Sequence, residues 1–384
     1  MRDAIQREIY RPYIYIRSAI ADGMYAQKII GLSKNLPDNG RKTAVLVGFS
    51  KWKSFMVDFL PDHNVIFLGH SPRVGPRTLE TIFTMPRPEI FAWSYKFPSG
   101  LRGLCEREGI PLVVVEDGFL RSLGLGVNRT KPLSLVFDRK AMHFDYRNPS
   151  ELETILASHD FAADARLMRR ADALLDTLTN SGLTKYNFWS DHGRIGDLGL
   201  RRNSRKILVI GQVEADLSIR YGAAKPMTND ELLQIALDEN PNDEVLFRPH
   251  PESVAMQRRG ATPALAGNGS RYNVLGPHYS LAECLEAADR VYCITSLAGF
   301  EAALRGKSVT LFGAPFYSGW GFTDDRHPVA RRKRRLSPRE VLAAAYCLYP
   351  RYFHPLSNAP ISCEDAVSWL KSEQRVRRQV ARYA

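Results

Sequence analysis

Four short polar groups in this 384-residue chain carry side chains suited to proton transfer, covalent trapping or anion binding, and each follows an apolar run. Glu116-Asp117-Gly118 comes directly after Pro111–Val115. A carboxylate there can take the proton of a hydroxyl, while the glycine lets the backbone turn sharply. Asp216 closes Gly211–Asp216, after the run Ile207–Ile210. It can trap an oxocarbenium-like cation as a covalent ester, or cap a helix opening at Leu217, and spacing alone favours the cap. Arg248-Pro249-His250-Pro251 follows Glu244–Phe247. The two prolines stiffen the chain around His250, whose imidazole, beside Arg248, can bind a phosphate or act as its general acid. Thr295-Ser296 stands between the run Arg290–Ile294 and a helical pattern starting near Leu297. Hydroxyls and N–H groups at such a junction suit an anion, although an ordinary serine cap fits equally well.

These groups need strands that end at a common edge. Thr43–Phe49, Asn64–Leu68, Glu89–Ser94 and Pro111–Val115 are short β-branched apolar runs separated by helical patterns. A second series follows the polar stretch Arg201–Lys206: Ile207–Gly211, Glu244–Phe247, Tyr272–Leu275, Arg290–Ile294 and Ser308–Phe312. Continuous rather than alternating apolar runs predict parallel strands covered on both faces. The expected fold is therefore α/β, with two Rossmann-like doubly wound domains facing a cleft, the GT-B architecture. The predicted boundaries are 1–200, 201–335 and a helical segment 336–384 packing back on the body, with helical spacing at Val341–Leu348 and Cys363–Val380.

Composition narrows the partners. There are 53 Lys plus Arg against 41 Asp plus Glu, a formal charge of +12, which points to something anionic. Nucleic acid is disfavoured, because no helix-turn-helix, zinc-finger or RNP-like pattern gives that charge a recognition element. The run Arg331–Arg335 (RRKRR) reads as a solvated loop, or as a contact to an anionic membrane surface. Met1–Tyr15 lacks the apolar core of a secretory signal, and no stretch is apolar and long enough to span a bilayer. The five cysteines have no CxxC spacing and read as reduced core thiols of a cytoplasmic protein. Asp324-Asp325 lies in a Gly-rich loop, a poor setting for a metal, and Gly124-Leu125-Gly126 lacks the third glycine of a dinucleotide fingerprint.

Taken together and in this order, the groups resemble the bacterial capsule polysaccharide biosynthesis family, the KpsC/KpsS-type transferases of 3-deoxy-D-manno-oct-2-ulosonic acid (Kdo). The resemblance rests on Glu116–Ser122 (EDGFLRS) with Gly124-Leu125-Gly126, Gly211–Asp216 (GQVEAD), Arg248–Pro251 (RPHP), Thr295–Lys307 (TSLAGFEAALRGK) and Phe312–Asp325 (FGAPFYSGWGFTDD). It implies a GT-B fold, CMP-Kdo as donor, no cofactor or metal, and a β-linked product formed with retention. By the same resemblance Asp216 is the nucleophile, His250 and Ser296 hold the CMP phosphate, and Glu116 or Asp117 handles the acceptor proton. Gly118, Arg121, Gln212, Arg248, Pro251, Thr295 and Glu301 are the implied substrate-binding residues, with the acceptor on the first domain and CMP-Kdo on the second. The implied acceptor is a Kdo-containing glycan or glycolipid, and the implied location is the cytoplasmic face of the inner membrane. Many relatives carry two catalytic modules in tandem, and this length accommodates one.

Two other readings stand beside this one: an inverting transferase of a sialic-acid-like sugar with Asp117 as base, and a non-catalytic assembly protein using its basic face.

Overall fold

The computed structural model describes residues 22–37, 39–69, 74–123, 129–185, 195–255, 271–276 and 278–383. Gly124-Leu125-Gly126 and Met1–Tyr15 lie outside them. The chain divides into two compact units, one running to Glu116 and including Phe137–Arg139, the other comprising Asp117–Val136 and Lys140 onward.

In the first unit, β1 (Lys42–Val47) lies between β2 (His63–Gly69) and β3 (Pro88–Trp93), and β3 continues to β4 (Leu112–Asp117), all pairs being parallel. β1 and β3 are buried at five consecutive positions each, as strands covered on both faces must be. Val45, Val47, Ile90 and Ala92 pack with Ile66, Leu79, Ile82 and Leu101 in one apolar cluster. Residues 22–33 are helical, and Asp22 is tied to the start of the helix Pro76–Phe83 by accepting from Gly75 and Thr78 N–H at 2.8 and 3.1 Å.

In the second unit, the first three residues of β5 (Ser134–Asp138) pair antiparallel with β12 (Pro350–Phe353), and β12 with β13 (Pro360–Ile361). The other strands are β6 (Lys206–Ile210), β7 (Glu244–Arg248), β8 (Tyr272–Val274), β9 (Arg290–Cys293), β10 (Ser308–Leu311) and β11 (Asp324–Asp325). They form a parallel sheet in the order β11-β10-β9-β6-β7-β8. The helix Asn229–Glu239 covers it by burying Asn229, Leu232, Leu233, Ala236 and Leu237, the spacing of one helical face. A capping box between Thr228 and Glu231 fixes where that helix starts. The segment after residue 336 is the expected helix pair, Pro338–Leu348 with a π-helical second half and Cys363–Tyr383, interrupted by the hairpin β12-β13 that apolar spacing did not reveal.

Candidate active site

Three of the four sequence groups leave the same sheet edge. β9, β6 and β7 are neighbours, all parallel, with Val209 opposite Tyr292 and Ile210 opposite Arg248. The loops carrying Gln212–Asp216, His250 and Thr295-Ser296 therefore begin side by side. Gly211 permits the closest approach: its N–H donates to Arg248 C=O at 2.8 Å, and a Cβ there would lie 2.9 Å from Phe247 and 3.2 Å from that same carbonyl.

Gln212 is the fastener of this edge. Buried, it donates from Nε2 to Thr295 Oγ1 at 3.0 Å and accepts the Thr295 N–H at 2.8 Å. Its own backbone exchanges two bonds with the Asn229 side chain, each 2.9 Å. Asp216 is exposed and caps the helix Leu217–Gly222, accepting from Ser218 N–H at 2.7 Å. The cap that spacing favoured is present, and it holds the carboxylate at the strand edge.

His250 is half-buried, and its Nδ1 accepts the Glu252 N–H at 3.2 Å. A neutral ring consequently carries its proton on Nε2, the tautomer that can donate to an anion. Pro251 opens the short helix Pro251–Ala255 behind it. Arg248 turns one nitrogen to Tyr279 C=O at 2.6 Å, in reach also of Cys284 Sγ at 3.6 Å. Ser296 caps Leu297–Ala303, accepting from Ala298 N–H at 3.2 Å, while its carbonyl accepts the Tyr317 hydroxyl.

The remaining group is built differently. Glu116 belongs to the first unit and is half-buried; Asp117 starts the second. Arg121, fully buried, donates from Nε to Asp117 Oδ2 at 2.7 Å and from Nη1 to Ser122 Oγ at 2.9 Å. Gly118 donates to Ser134 C=O at 3.0 Å, and a Cβ on it would meet Ser134 Oγ at 2.2 Å. Phe119 then packs on Phe316 (4.6 Å), His143 (4.8 Å) and Tyr346 (5.6 Å) between ring centroids.

His143, which the sequence did not single out, sits among Phe119, Phe144, Phe316 and Tyr349 with Nδ1 lacking a hydrogen-bond partner among the described residues. Burial, with a smaller push from Lys185, lowers it to about 3, so the ring is neutral. No motif spacing signals this residue, because its neighbours come from three separated stretches. Glu301 is also interior: Oε1 accepts the Lys185 N–H at 3.0 Å, and burial pushes the carboxyl up to about 7 against the pull of Arg305. Arg121 and Glu301 bond the protein's own chain through the atoms named, while Arg121 Nη2 and Glu301 Oε2 have no hydrogen-bond partner among the described residues, and Asp216 and His250 are accessible at the edge.

The basic run is mostly internal fastening. Arg331 and buried Arg332 share Glu153, Arg332 also donates to Pro315 and Ser318 carbonyls, and Arg334 donates to His159 C=O at 2.6 Å. Lys333 and Arg335 are left exposed. Asp324 pairs with Arg290 at 2.6 Å and Asp325 accepts from Gly319 N–H at 2.8 Å, so both acids hold the loop together. All five cysteines are free thiols, Cys347 alone being partly exposed.

Residues 89–353 match a family described as capsule polysaccharide biosynthesis protein. The lipopolysaccharide-processing protein LpsZ of Rhizobium meliloti is 38% identical over 337 residues, 86% of this chain and 74% of that one. The capsule polysaccharide modification protein LipA of Neisseria meningitidis serogroup A is 35% identical over 346 residues, 90% of this chain and 48% of LipA, so the chain spans about half of that relative. Among solved structures, Thermosulfurimonas dismutans KpsC, titled beta Kdo 2,4 transferase, superposes with a TM-score of 0.71 at 32% identity, covering 86% of this chain and 98% of that one. The beta Kdo 2,7 transferase of the same organism gives 0.67 at 29%, covering 86% and 99%. The architecture is GT-B-like, as the two series of apolar runs predicted.

Proposed function

Since the chain belongs to the capsule polysaccharide biosynthesis family, we propose that it is a retaining glycosyltransferase that moves Kdo from CMP-Kdo to a Kdo-containing glycan or glycolipid in surface polysaccharide synthesis. The transferase titles of the two similar KpsC structures support the substrate class. The observation that carries the mechanism is the common origin of Asp216, His250 and Ser296 at the ends of adjacent strands.

In this scheme His250 Nε2–H and the Ser296 cap take the charge of the departing phosphate. The bond from the anomeric carbon to the phosphate oxygen breaks, CMP leaves with the electron pair, and an Asp216 carboxylate oxygen bonds to that carbon. An acceptor hydroxyl then displaces Asp216, giving its proton to Glu116 or Asp117, and two displacements return the original configuration. The scheme calls for no metal. Membrane attachment belongs to the same reading, supported by the +12 charge and by exposed Lys333 and Arg335. Among the described residues no helix is long and apolar enough to cross a bilayer.

One observation favours a second reading. Asp216 already serves Ser218 N–H, whereas Asp117 is fixed by a buried arginine at 2.7 Å, the arrangement expected of a carboxylate held for proton transfer without a covalent step. Intact mass spectrometry of the protein with CMP-Kdo alone separates them. A sugar adduct mapped to the peptide containing Asp216, absent in Asp216→Asn, is the expected result. An adduct on Glu116 or Asp117 moves the nucleophile, and no adduct with an inverted linkage by NMR establishes the second reading. Failure to bind CMP in calorimetry leaves the non-catalytic reading.

A further inference from the structure

Two cysteines meet in the second unit, where the chain after residue 336 folds back on itself. Cys347 sits on the π-helical turn Ala343–Leu348, which buries Tyr346 and leaves Cys347 partly exposed. Such turns are rare and recur at functional sites. Cys363, fully interior, opens the last helix, Cys363–Tyr383, on the far side of the β12-β13 hairpin. The hairpin brings the two together: Cys363 Sγ is 3.4 Å from Tyr352 Oη, and that hydroxyl donates at 2.8 Å to Tyr346 C=O, the carbonyl just before Cys347. The two thiols are themselves hydrogen-bonded. Arg170, on the helix Ala165–Ser181, lies close to both sulfurs and is held there by Glu364, which accepts from its Nε at 2.7 Å and its Nη2 at 3.1 Å.

These contacts divide a peroxide reaction between two sulfurs. The thiolate is the nucleophile, and the bond from Cys363, with the Arg170 charge, favours it on Cys347 against the cost of burial. The same bond, and then burial, keeps Cys363 protonated. An accessible thiolate meets the oxidant first, and a neighbouring interior thiol is placed to resolve the product. The other cysteines lack this arrangement. Cys105, Cys284 and Cys293 are buried, the last two against Arg248 and the Tyr317 hydroxyl rather than a second sulfur.

We propose that Cys347 and Cys363 form an oxidation site for hydrogen peroxide, with Cys347 as the attacking sulfur and Cys363 as the resolving one, closing a disulfide across the β12-β13 hairpin. The Cys347 sulfur bonds to one peroxide oxygen and the O–O bond breaks. The departing hydroxide keeps the electron pair and takes up the proton that Cys347 released, leaving as water and a sulfenic acid behind. The Cys363 sulfur then bonds to the Cys347 sulfur, the S–O bond breaks, and the hydroxyl leaves with the Cys363 proton as a second water. The thiols lose two electrons in all and the peroxide gains them. This site is independent of the transferase reading.

The full chain, reduced and then freed of reductant, is exposed to hydrogen peroxide, unfolded in N-ethylmaleimide, and read by intact mass spectrometry and by peptide mapping without reduction. The wild type should become two hydrogens lighter, take up two maleimides fewer than the reduced chain, and yield a crosslinked peptide joining Cys347 to Cys363, all reversed by dithiothreitol. Cys347→Ser should give no crosslink. Cys363→Ala should stop at the sulfenic acid on Cys347, trapped by dimedone severalfold above the wild-type level. The proposal falls if the wild type oxidises at Cys347 without the crosslink, joins a different pair, or is modified elsewhere while Cys347 stays free. Those wild-type outcomes decide the matter even where Cys363→Ala fails to melt cooperatively.

Discussion

Gln212 and Thr295 hold each other across the ends of β6 and β9 by two hydrogen bonds of 3.0 and 2.8 Å, one in each direction. Both are buried, so neither amide nor hydroxyl can turn to water if its partner is lost. Gln212→Ala strands the Thr295 N–H, at a cost of about 1–3 kcal/mol. We expect that loss in urea unfolding, together with weaker CMP binding in calorimetry because the Ser296 cap next in the chain loses its anchor. Thr295→Ser, which keeps the hydroxyl, should leave both nearly unchanged.

Glu301 gives stability a sign with pH. Its native carboxyl is raised from 4.5 to about 7, so between those values the folded chain keeps a proton that the unfolded chain has released. Stability therefore falls as pH rises through this window, by at most about 1.4 kcal/mol per pH unit. Glu301→Gln should flatten the slope in urea titrations across it. His143, lowered from 6.5 to about 3, works in the opposite sense: its contribution is present above 6.5 and lost as pH falls toward 3. His143→Phe should remove that acid-side loss.

Glu153 answers two arginines, one of them buried. Removing it as Glu153→Ala leaves Arg332 uncompensated, and a loss of about 3–5 kcal/mol should appear in unfolding. Lys333→Ala with Arg335→Ala should stay within about 0.5 kcal/mol per site, since both are exposed. If vesicles of anionic lipid retain the protein in sedimentation, this exposed pair, and not Arg332, should account for the run's share of it.

Among the thiols, Cys347 is the reactive one. A hydrogen bond with Cys363 and the nearby Arg170 guanidinium lower it, and it is partly exposed. Burial pushes Cys105 up to about 11 and Cys293 to about 12. Iodoacetamide at pH 8, followed by peptide mapping, should mark Cys347 first and leave Cys105 and Cys293 unmodified until the chain unfolds.

The parallel strands were legible because burial on both faces demands uninterrupted apolar runs, and each of the nine named runs is a strand within a few residues. β5 and the β12-β13 hairpin were not, since each strand opens or closes on a polar residue or a proline and the antiparallel pairing of β5 with β12 joins segments about two hundred residues apart. The edge bearing Asp216, His250 and Ser296 followed from strand ends alone. The burial of Arg121 and Glu301, and their bonds to Asp117, Ser122 and the Lys185 N–H, did not, because a charged residue in a motif does not reveal which atoms bond the protein's own chain. The contact of the Lys53 ammonium with the Trp93 ring was equally silent: it joins a short 3-10 helix to the end of β3, forty residues apart in sequence.

The antiparallel pairing of β5 with β12 sets a condition on biosynthesis. β5 leaves the ribosome about two hundred residues before its partner, a wait of roughly ten to forty seconds at ordinary translation speeds. Through that interval its outer backbone edge is open to any other extended peptide, the usual entry to aggregation. Expression of chains cut before Pro350 should therefore yield inclusion bodies, even though every catalytic candidate has already been synthesised.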